Sequence, residues 1–390
     1  VSLDFDSARL ANPELRPEHE AWRAQLRRFF DREVVPFAED WDEAGQMPAE
    51  LWPKAAAIGL LGLGYPEEFG GTSEGIDIWH KNILNEELAR LAVGGVSANL
   101  MVHNIGLPPV VNFAEPALRA EVANAVLSGA RRISLGITEP GAGSDVAQLT
   151  TTAQRDGDHY IVNGSKTYIT GGMHAHWFTT AVRTGGEGAG GVSALLIPAG
   201  SEGISRTALD RKQGWWASDT ATIYFDNVRV PVGNLLGEEN QGFKVIMRNF
   251  NGERMAMSAA MEGFARVCLE EAVVWAQQRR TFGKRLADHQ VIRHKIAEMK
   301  QRINATQAWL NHVSRQIQLG DENAGDIALL KVQCSQTMEY CAREAMQILG
   351  GIGYMRGSRV ERIYREVRVN AIGGGSEEIM RDLAARQYRL

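Results

Sequence analysis

Apolar residues at Trp22, Leu26, Phe29, Phe30 and Val34 recur at helical spacing with charges between them, which predicts an amphipathic helix over 18–37. A second helix is expected over 48–61, with Pro48 near its first turn, and Gly70-Gly71 then breaks the pattern. Further helices are expected over 76–91 and 116–127. Between them, 93–112 is apolar and rich in Gly, Ser and Ala, the composition of a buried helix lining a cavity.

The pattern changes after residue 129. The run 132–137 reads as a strand, and 160–162 and 166–169 flank Asn163-Gly164, the strongest short hairpin signal in the chain. More strands are expected at 177–182, 194–197 and 221–225. The glycine-rich 185–191 lies between two of them; no Lys-Ser/Thr follows, so it reads as a hairpin tip and not as a phosphate-binding loop. From about 240 the chain returns to long helices. Asn251 is the expected cap of a helix over 252–278. Helices over 288–319 and 323–349 follow, the latter stopped by Gly350-Gly351-Ile352-Gly353, and a shorter one covers 377–388. The expected fold is a multidomain α+β protein: an N-terminal helical domain (1–129), a small middle β-domain (130–239) and a C-terminal antiparallel four-helix bundle (240–390).

Composition narrows the function classes. The 390 residues are 44% hydrophobic and 23% charged, with a formal net charge of −5. This is a globular balance that does not favour broad nucleic-acid binding. An anionic ligand must be held by a local site. Cys268, Cys334 and Cys341 are too few and odd in number for a disulfide framework; Cys334 and Cys341, seven apart, are expected on one buried helical face. No His/Cys cluster has zinc-ligand spacing, so no metal is expected. No export signal and no membrane span is expected, and the compartment expected is the cytoplasm.

The run Thr138-Glu139-Pro140-Gly141-Ala142-Gly143-Ser144 follows a strand and is dense in small residues, which lets a ligand approach backbone N–H groups. A plain structural turn is the bland alternative. The run resembles the signature of the acyl-CoA dehydrogenase family, and supporting motifs stand in the family's order along the whole chain. These are Asn163-Gly164-Ser165-Lys166-Thr167-Tyr168-Ile169-Thr170, Arg279-Arg280-Thr281-Phe282-Gly283-Lys284 with His289-Gln290, Gln347-Ile348-Leu349-Gly350-Gly351, and Gly373-Gly374-Gly375-Ser376.

The resemblance implies FAD as cofactor and an acyl-CoA as substrate. Leu135, Ile137, Thr138, Gly143 and Ser144 would cradle the flavin and its diphosphate arm. Tyr168 and Ile169 would lie against the ring, and Thr170 near its N5. In a homotetramer, Arg279, Thr281, Phe282, Gln290, Gln347, Leu349, Gly350 and Gly351 would serve a neighbour's cofactor; Ser376 and Glu378 complete the flavin set. Most family members carry the catalytic Glu at the position that here is Gly374. A minority, including isovaleryl- and long-chain acyl-CoA dehydrogenases, place it at a helix start similar to Glu253-Arg254-Met255. The resemblance therefore implies Glu253 as base, with the Gly374 N–H donating to the thioester carbonyl. Ser144, Phe250, Asn251, Arg254 and Gly375 would lie near the substrate. The glycines at 373–375 imply room for a longer or branched acyl chain, and an electron-transfer flavoprotein is the implied acceptor. An acyl-CoA oxidase, a flavin monooxygenase or nitroalkane oxidase, and a non-catalytic acyl-CoA-binding protein remain as alternatives.

Overall fold

The computed structural model describes residues 3–390. Eight helices come first: α1 (Pro17–Glu33), α2 (Ala38–Ala44), α3 (Leu51–Ala57), α4 (Ile78–Arg90), α5 (Gly94–Leu100), α6 (His103–Gly106), α7 (Pro108–Phe113) and α8 (Pro116–Leu127). The sequence pattern places most of these, and prolines explain the differences. Pro36 has no N–H to continue α1, so the expected helix over 18–37 ends at Glu33 and a 3-10 turn follows. The single helix expected over 93–112 is three short ones, broken ahead of Pro108-Pro109. The second helix is confined to 51–57 and ends before Gly59, whose φ is +78°.

Seven strands form one mixed sheet: β1 (Ile133–Gly136), β2 (Thr152–Asp156), β3 (His159–Thr170), β4 (Trp177–Arg183), β5 (Val192–Pro198), β6 (Ile204–Ala208) and β7 (Thr220–Pro231). Their order is β1-β4-β2-β3-β7-β6, with β5 also paired to β4. The expected hairpin at Asn163-Gly164 is not there. β3 runs straight through it, paired with β7 on both sides, and the dipeptide makes a bulge instead. Gly164 adopts φ +142°, and a Cβ there would sit 2.6 Å from Thr151 Oγ1. The real turn is Gly157-Asp158, between β2 and β3, with Gly157 at φ +63°. β2 and β6 carry no strong alternation, and the sequence reading misses both. The 185–191 run is indeed a hairpin tip, between β4 and β5.

The rest is helical except for a two-residue hairpin: α9 (Gly242–Met247), α10 (Phe250–Gln278), β8 (Arg280–Thr281), β9 (Lys284–Arg285), α11 (Gln290–Gln318), α12 (Ala324–Leu349), α13 (Arg359–Ile372) and α14 (Glu377–Gln387). The helices α10 to α13 pack as the bundle, and α14 lies on α12. Asn251 is not the cap of α10: the helix already starts at Phe250, and Asn251 Oδ1 accepts from Arg254 Nη1 at 3.3 Å. The missed helix is α13. Its apolar face is Val360, Ile363, Val367 and Ala371, but charges bury with it. Arg362 and Arg365 both reach the buried Asp42, at 3.3 and 2.7 Å. The three cysteines are free and buried, with Cys334 and Cys341 on one face of α12 as expected.

The long helix α10 joins the two helical parts. Gly263 lets α4 come close, since a Cβ there would meet Ala89 Cβ at 2.7 Å. One turn on, Arg266 is fully buried. Its Nε donates to Glu262 at 2.9 Å, its Nη1 donates to the Phe5 carbonyl at 3.1 Å, and its Nη2 lies 3.1 Å from Glu86. Replacing Arg266 with Met strands the buried Glu262 and takes one of its cations from Glu86, which keeps Arg23 at 3.0 Å. We expect a stability loss of about 3–5 kcal/mol by urea denaturation; a variant with an unchanged midpoint would count against the network as a structural tie.

Candidate active site

After β1 the chain closes a tight turn over Glu139-Pro140-Gly141-Ala142, with reciprocal N–H···O bonds between Glu139 and Ala142 at 3.0 and 3.1 Å. Pro140 sits where a fixed φ favours the turn. Under it lies a buried ion pair. Lys166 Nζ donates to Glu139 at 2.7 Å and to the Ile137 carbonyl at 3.1 Å. Glu139 also accepts from the Thr150 N–H, the Thr150 hydroxyl and the Thr151 N–H, at 2.6, 2.7 and 2.9 Å. Burial alone would raise the Glu139 carboxyl, but Lys166 and these donors take it down to about 2. Burial also pulls the Lys166 ammonium down to about 8, against the pull of Glu139. Four donors converge on the Glu139 carboxylate and hold its charge, and the lowering of Lys166 only narrows the range in which both groups are charged. Both remain ionised at neutral pH.

The pair holds the turn from below and leaves its top open. A Cβ at Gly141 or Gly143 would meet nothing within 4 Å. Beside the turn, the Thr167 N–H donates to the Thr138 carbonyl at 2.8 Å, which lays the loop along β3. The register of β3 shifts between Lys166 and Ile169. Tyr168, in that shift, adopts φ +59° and is 71% exposed. A bulky residue in the left-handed region is strained, and such strain persists where a site requires it. Among the described residues, the hydroxyls of Thr138, Ser144 and Thr170 have no protein hydrogen-bond partner, while Ile137 and Ile169 are buried and offer only backbone.

A second group forms where the start of α10 meets the loop between α13 and α14. Glu253, in the first turn of α10, is half-buried; the surrounding protein raises its carboxyl to about 6, against the lowering effect of Arg254 and then Lys331. Arg254 Nε donates to the Gly374 carbonyl at 3.1 Å, and its guanidinium lies 5.6 Å from the Phe250 ring. Gly374 and Gly375 adopt φ +67° and +106°. A Cβ on Gly374 would stand 2.8 Å from Met257 Sδ and 3.8 Å from Glu253 Oε1. A Cβ on Gly375 would meet Met380 Cε at 2.4 Å. The glycines therefore do not leave an empty void, because two flexible thioethers lean into the space. Ser376 caps α14, its Oγ accepting from the Ile379 N–H, and Glu378 is in the first turn.

The third group stands apart from these contacts. Arg279 ends α10, and Phe282-Gly283 form the turn of the β8–β9 hairpin, both with positive φ. Phe282 is 96% exposed. The Thr281 hydroxyl lies 3.1 Å from His289 Nε2, and Gln290 opens α11. Gln347, Gly350 and Gly351 are exposed at the end of α12, whereas the Leu349 side chain is in the core. The sequence reading misses Lys331, Met257 and Met380. Lys331 had a signal: it is a lone cation on the apolar face Ile327, Leu330, Cys334, Met338 of α12.

Two other features hold no chemistry. His19, Asp77 and His80 bring ligand atoms within 4.8 Å of one another, a grouping not visible in the sequence. Asp77 caps α4 through the Trp79 and His80 N–H groups, and both imidazoles are hydrogen-bonded to it, so the cluster is a helix cap. Surface clefts of about 510 and 820 Å³ flank α8, and neither includes Glu253 or the 138–144 turn.

One chain thus carries a strained exposed tyrosine beside an open turn and a half-buried carboxyl beside a glycine loop. Models of the acyl-CoA dehydrogenase N-terminal, middle and C-terminal domains match residues 16–130, 134–228 and 240–388. An acyl-CoA dehydrogenase of Alternaria alternata is 36% identical over 95% of this chain and 91% of its own. The mitochondrial long-chain specific acyl-CoA dehydrogenase of Rattus norvegicus is 33% identical over 95% and 86%. A crystal structure of a probable acyl-CoA dehydrogenase from Mycobacterium abscessus superposes with a TM-score of 0.93 at 42% identity, covering 96% of this chain and 99% of that one. The chain belongs to the acyl-CoA dehydrogenase family. It is an FAD-dependent oxidoreductase that dehydrogenates acyl-CoA thioesters. The residues present fit FAD: an open turn, unengaged hydroxyls at Thr138, Ser144 and Thr170, and the exposed Tyr168 ring. No helix among the described residues is long and apolar enough to cross a membrane.

The ion pair beneath the turn makes a prediction. The Glu139 carboxyl is depressed by folding, so its contribution is full above the ordinary value of 4.5 and is lost as pH falls toward 2. Lys166→Met removes its cation at any pH. We expect a loss of about 3–5 kcal/mol in urea together with reduced flavin content after purification. Full flavin content at unchanged stability would reject the role.

Proposed function

We propose that Glu253 takes the α-proton of the acyl thioester and that Gly374 acts through its backbone, donating its N–H to the thioester carbonyl. The observation that carries this reading is spatial. The Glu253 carboxyl lies 3.8 Å from the point where a side chain on residue 374 would begin. A carboxylate from α10 therefore stands beside the place from which most relatives are expected to extend theirs. Positive φ and Met257 also count against a side chain at 374. Among the described residues no acceptor takes the Gly374 N–H.

The α-proton is weakly acidic, so a base and a polarised carbonyl must act together. A carboxyl raised to about 6 is ionised at neutral pH and is a stronger base than an ordinary glutamate. FAD, when bound, supplies the hydride acceptor at its N5. Arg254, Phe250, Asn251, Ser144 and Gly375 position the thioester. The chain divides into the three parts 1–129, 130–239 and 240–390, and the third supplies Glu253 and Gly374. The exposed Arg279, Phe282, Gln290, Gln347, Gly350 and Gly351, with the half-buried Thr281 and the Leu349 backbone, suit a cofactor bound to a neighbouring copy in a homotetramer; Ser376 and Glu378 belong to the same set. Electrons pass to an electron-transfer flavoprotein. Three free buried cysteines support a reducing compartment, and we assign the cytoplasm.

Glu253→Gln is expected to keep FAD and lose anaerobic flavin bleaching by about 100- to 10,000-fold. In the wild type, bleaching should fall away below about pH 6, because a protonated Glu253 cannot accept the α-proton. An active Glu253→Gln enzyme refutes the base.

Met257 and Met380 border the three glycines and can move aside for a substrate. Activity across a panel of acyl-CoAs should therefore extend to longer or branched chains. Strict preference for butyryl-CoA would reject this.

A further inference from the structure

Lys331 is the largest charged group near the site that the reaction as described leaves without a task. It is fully buried in α12, within an otherwise apolar face, where an ammonium is costly to place. Its Nζ donates to the Gly375 carbonyl at 2.7 Å. The preceding carbonyl, Gly374, accepts from Arg254 Nε at 3.1 Å. Two cations from two helices thus grip two consecutive carbonyls of a loop whose glycines both have positive φ. A trans peptide points its N–H opposite its C=O. Gripping these carbonyls therefore turns the N–H groups of Gly375 and Ser376 the other way. Among the described residues, no acceptor takes the N–H of Gly374, Gly375 or Ser376.

We propose that Lys331 is a positioning residue for proton abstraction: with Arg254 it fixes the two peptides that follow the Gly374 N–H, and its ammonium stands as a counter-charge to Glu253. This rests on Glu253 being the base. The charged groups facing Lys331 are Glu377 and Glu378 of α14 and Arg254 and Glu253 of α10. Those acting on Glu253 are Arg254 and Lys331. Glu377 is engaged elsewhere, accepting from the Ser335 hydroxyl at 2.7 Å and from Gln336 Nε2 at 3.1 Å. Burial takes the Lys331 ammonium down to about 8, so its charge is present below that pH and fades above it. The working window of the site lies between the Glu253 and Lys331 values.

The test is the pH profile of anaerobic flavin reduction by saturating acyl-CoA, using FAD-loaded wild type, K331Q, K331M and K331R. Wild type should show an acidic limb near 6 and a basic limb near 8. K331Q can still donate to the Gly375 carbonyl but has no charge. Its plateau should fall to the rate that wild type reaches above its basic limb, the basic limb should vanish, and its acidic limb should move up, which lowers the rate at pH 6 about a further fivefold for a shift on the order of one pH unit. K331M should lose plateau rate as well, and K331R should keep the plateau and lose the basic limb. Wild-type limbs and plateau in both K331Q and K331M overturn the proposal. If the neutral variants do not fold, a basic limb near 8 that persists in K331R overturns it. Glu253→Gln is assayed in parallel. Activity there removes the base assignment itself, whereas an inactive Glu253→Gln beside unaltered Lys331 variants removes only this inference.

Discussion

The buried pair of Glu139 and Lys166 is the constraint on which the open turn after the first strand depends. It sits between the first strand and the long third strand, and it fixes the turn that carries the open glycines. Such a pair adds little to stability by comparison with well-packed apolar groups. Its value here is directional. It sends Lys166 inward, and the register shift that follows sends Tyr168 outward on strained backbone. Position and strain are thus set by one charge pair, and the exposed surface of the turn stays free for a ligand.

The acid–base side is built on the opposite principle. Its key positions are backbone. Two helices supply the charges, Glu253 and Arg254 from one and Lys331 from the other, and the loop between them supplies N–H groups and no side chains. Burial raises the Glu253 carboxyl while the neighbouring cations limit the rise, so the base we propose is neither quenched nor left as an ordinary surface acid.

Much of this was legible from residue order. The helix over 116–127 matches its periodicity to the residue, because Pro116 starts it and its neighbours do not compete. Motif order pointed to the family and hence to the turn. What the chain hid has physical reasons. Asn163-Gly164 has the chemistry of a hairpin turn, but pairing with the seventh strand on both sides converts it to a bulge. The helix over 359–372 looks too charged to be buried, because its partner Asp42 is far away in sequence. Lys331 was half legible for a related reason: a lone cation marks the apolar stripe, but its task shows only once the carbonyl it serves is folded against it.

The geometry at Gly374 also sets a direction for change over time. On the base assignment we propose, a backbone already in the left-handed region makes a glutamate at 374 a poor replacement for Glu253. Reinstating the arrangement that the resemblance implies for most relatives would need the loop backbone and Glu253 to alter together, with Met257 swinging aside. Each single substitution alone would pass through a strained or baseless enzyme. The position therefore behaves as a ratchet, and this lineage of the fold is held to its choice of helix by sterics as much as by catalysis.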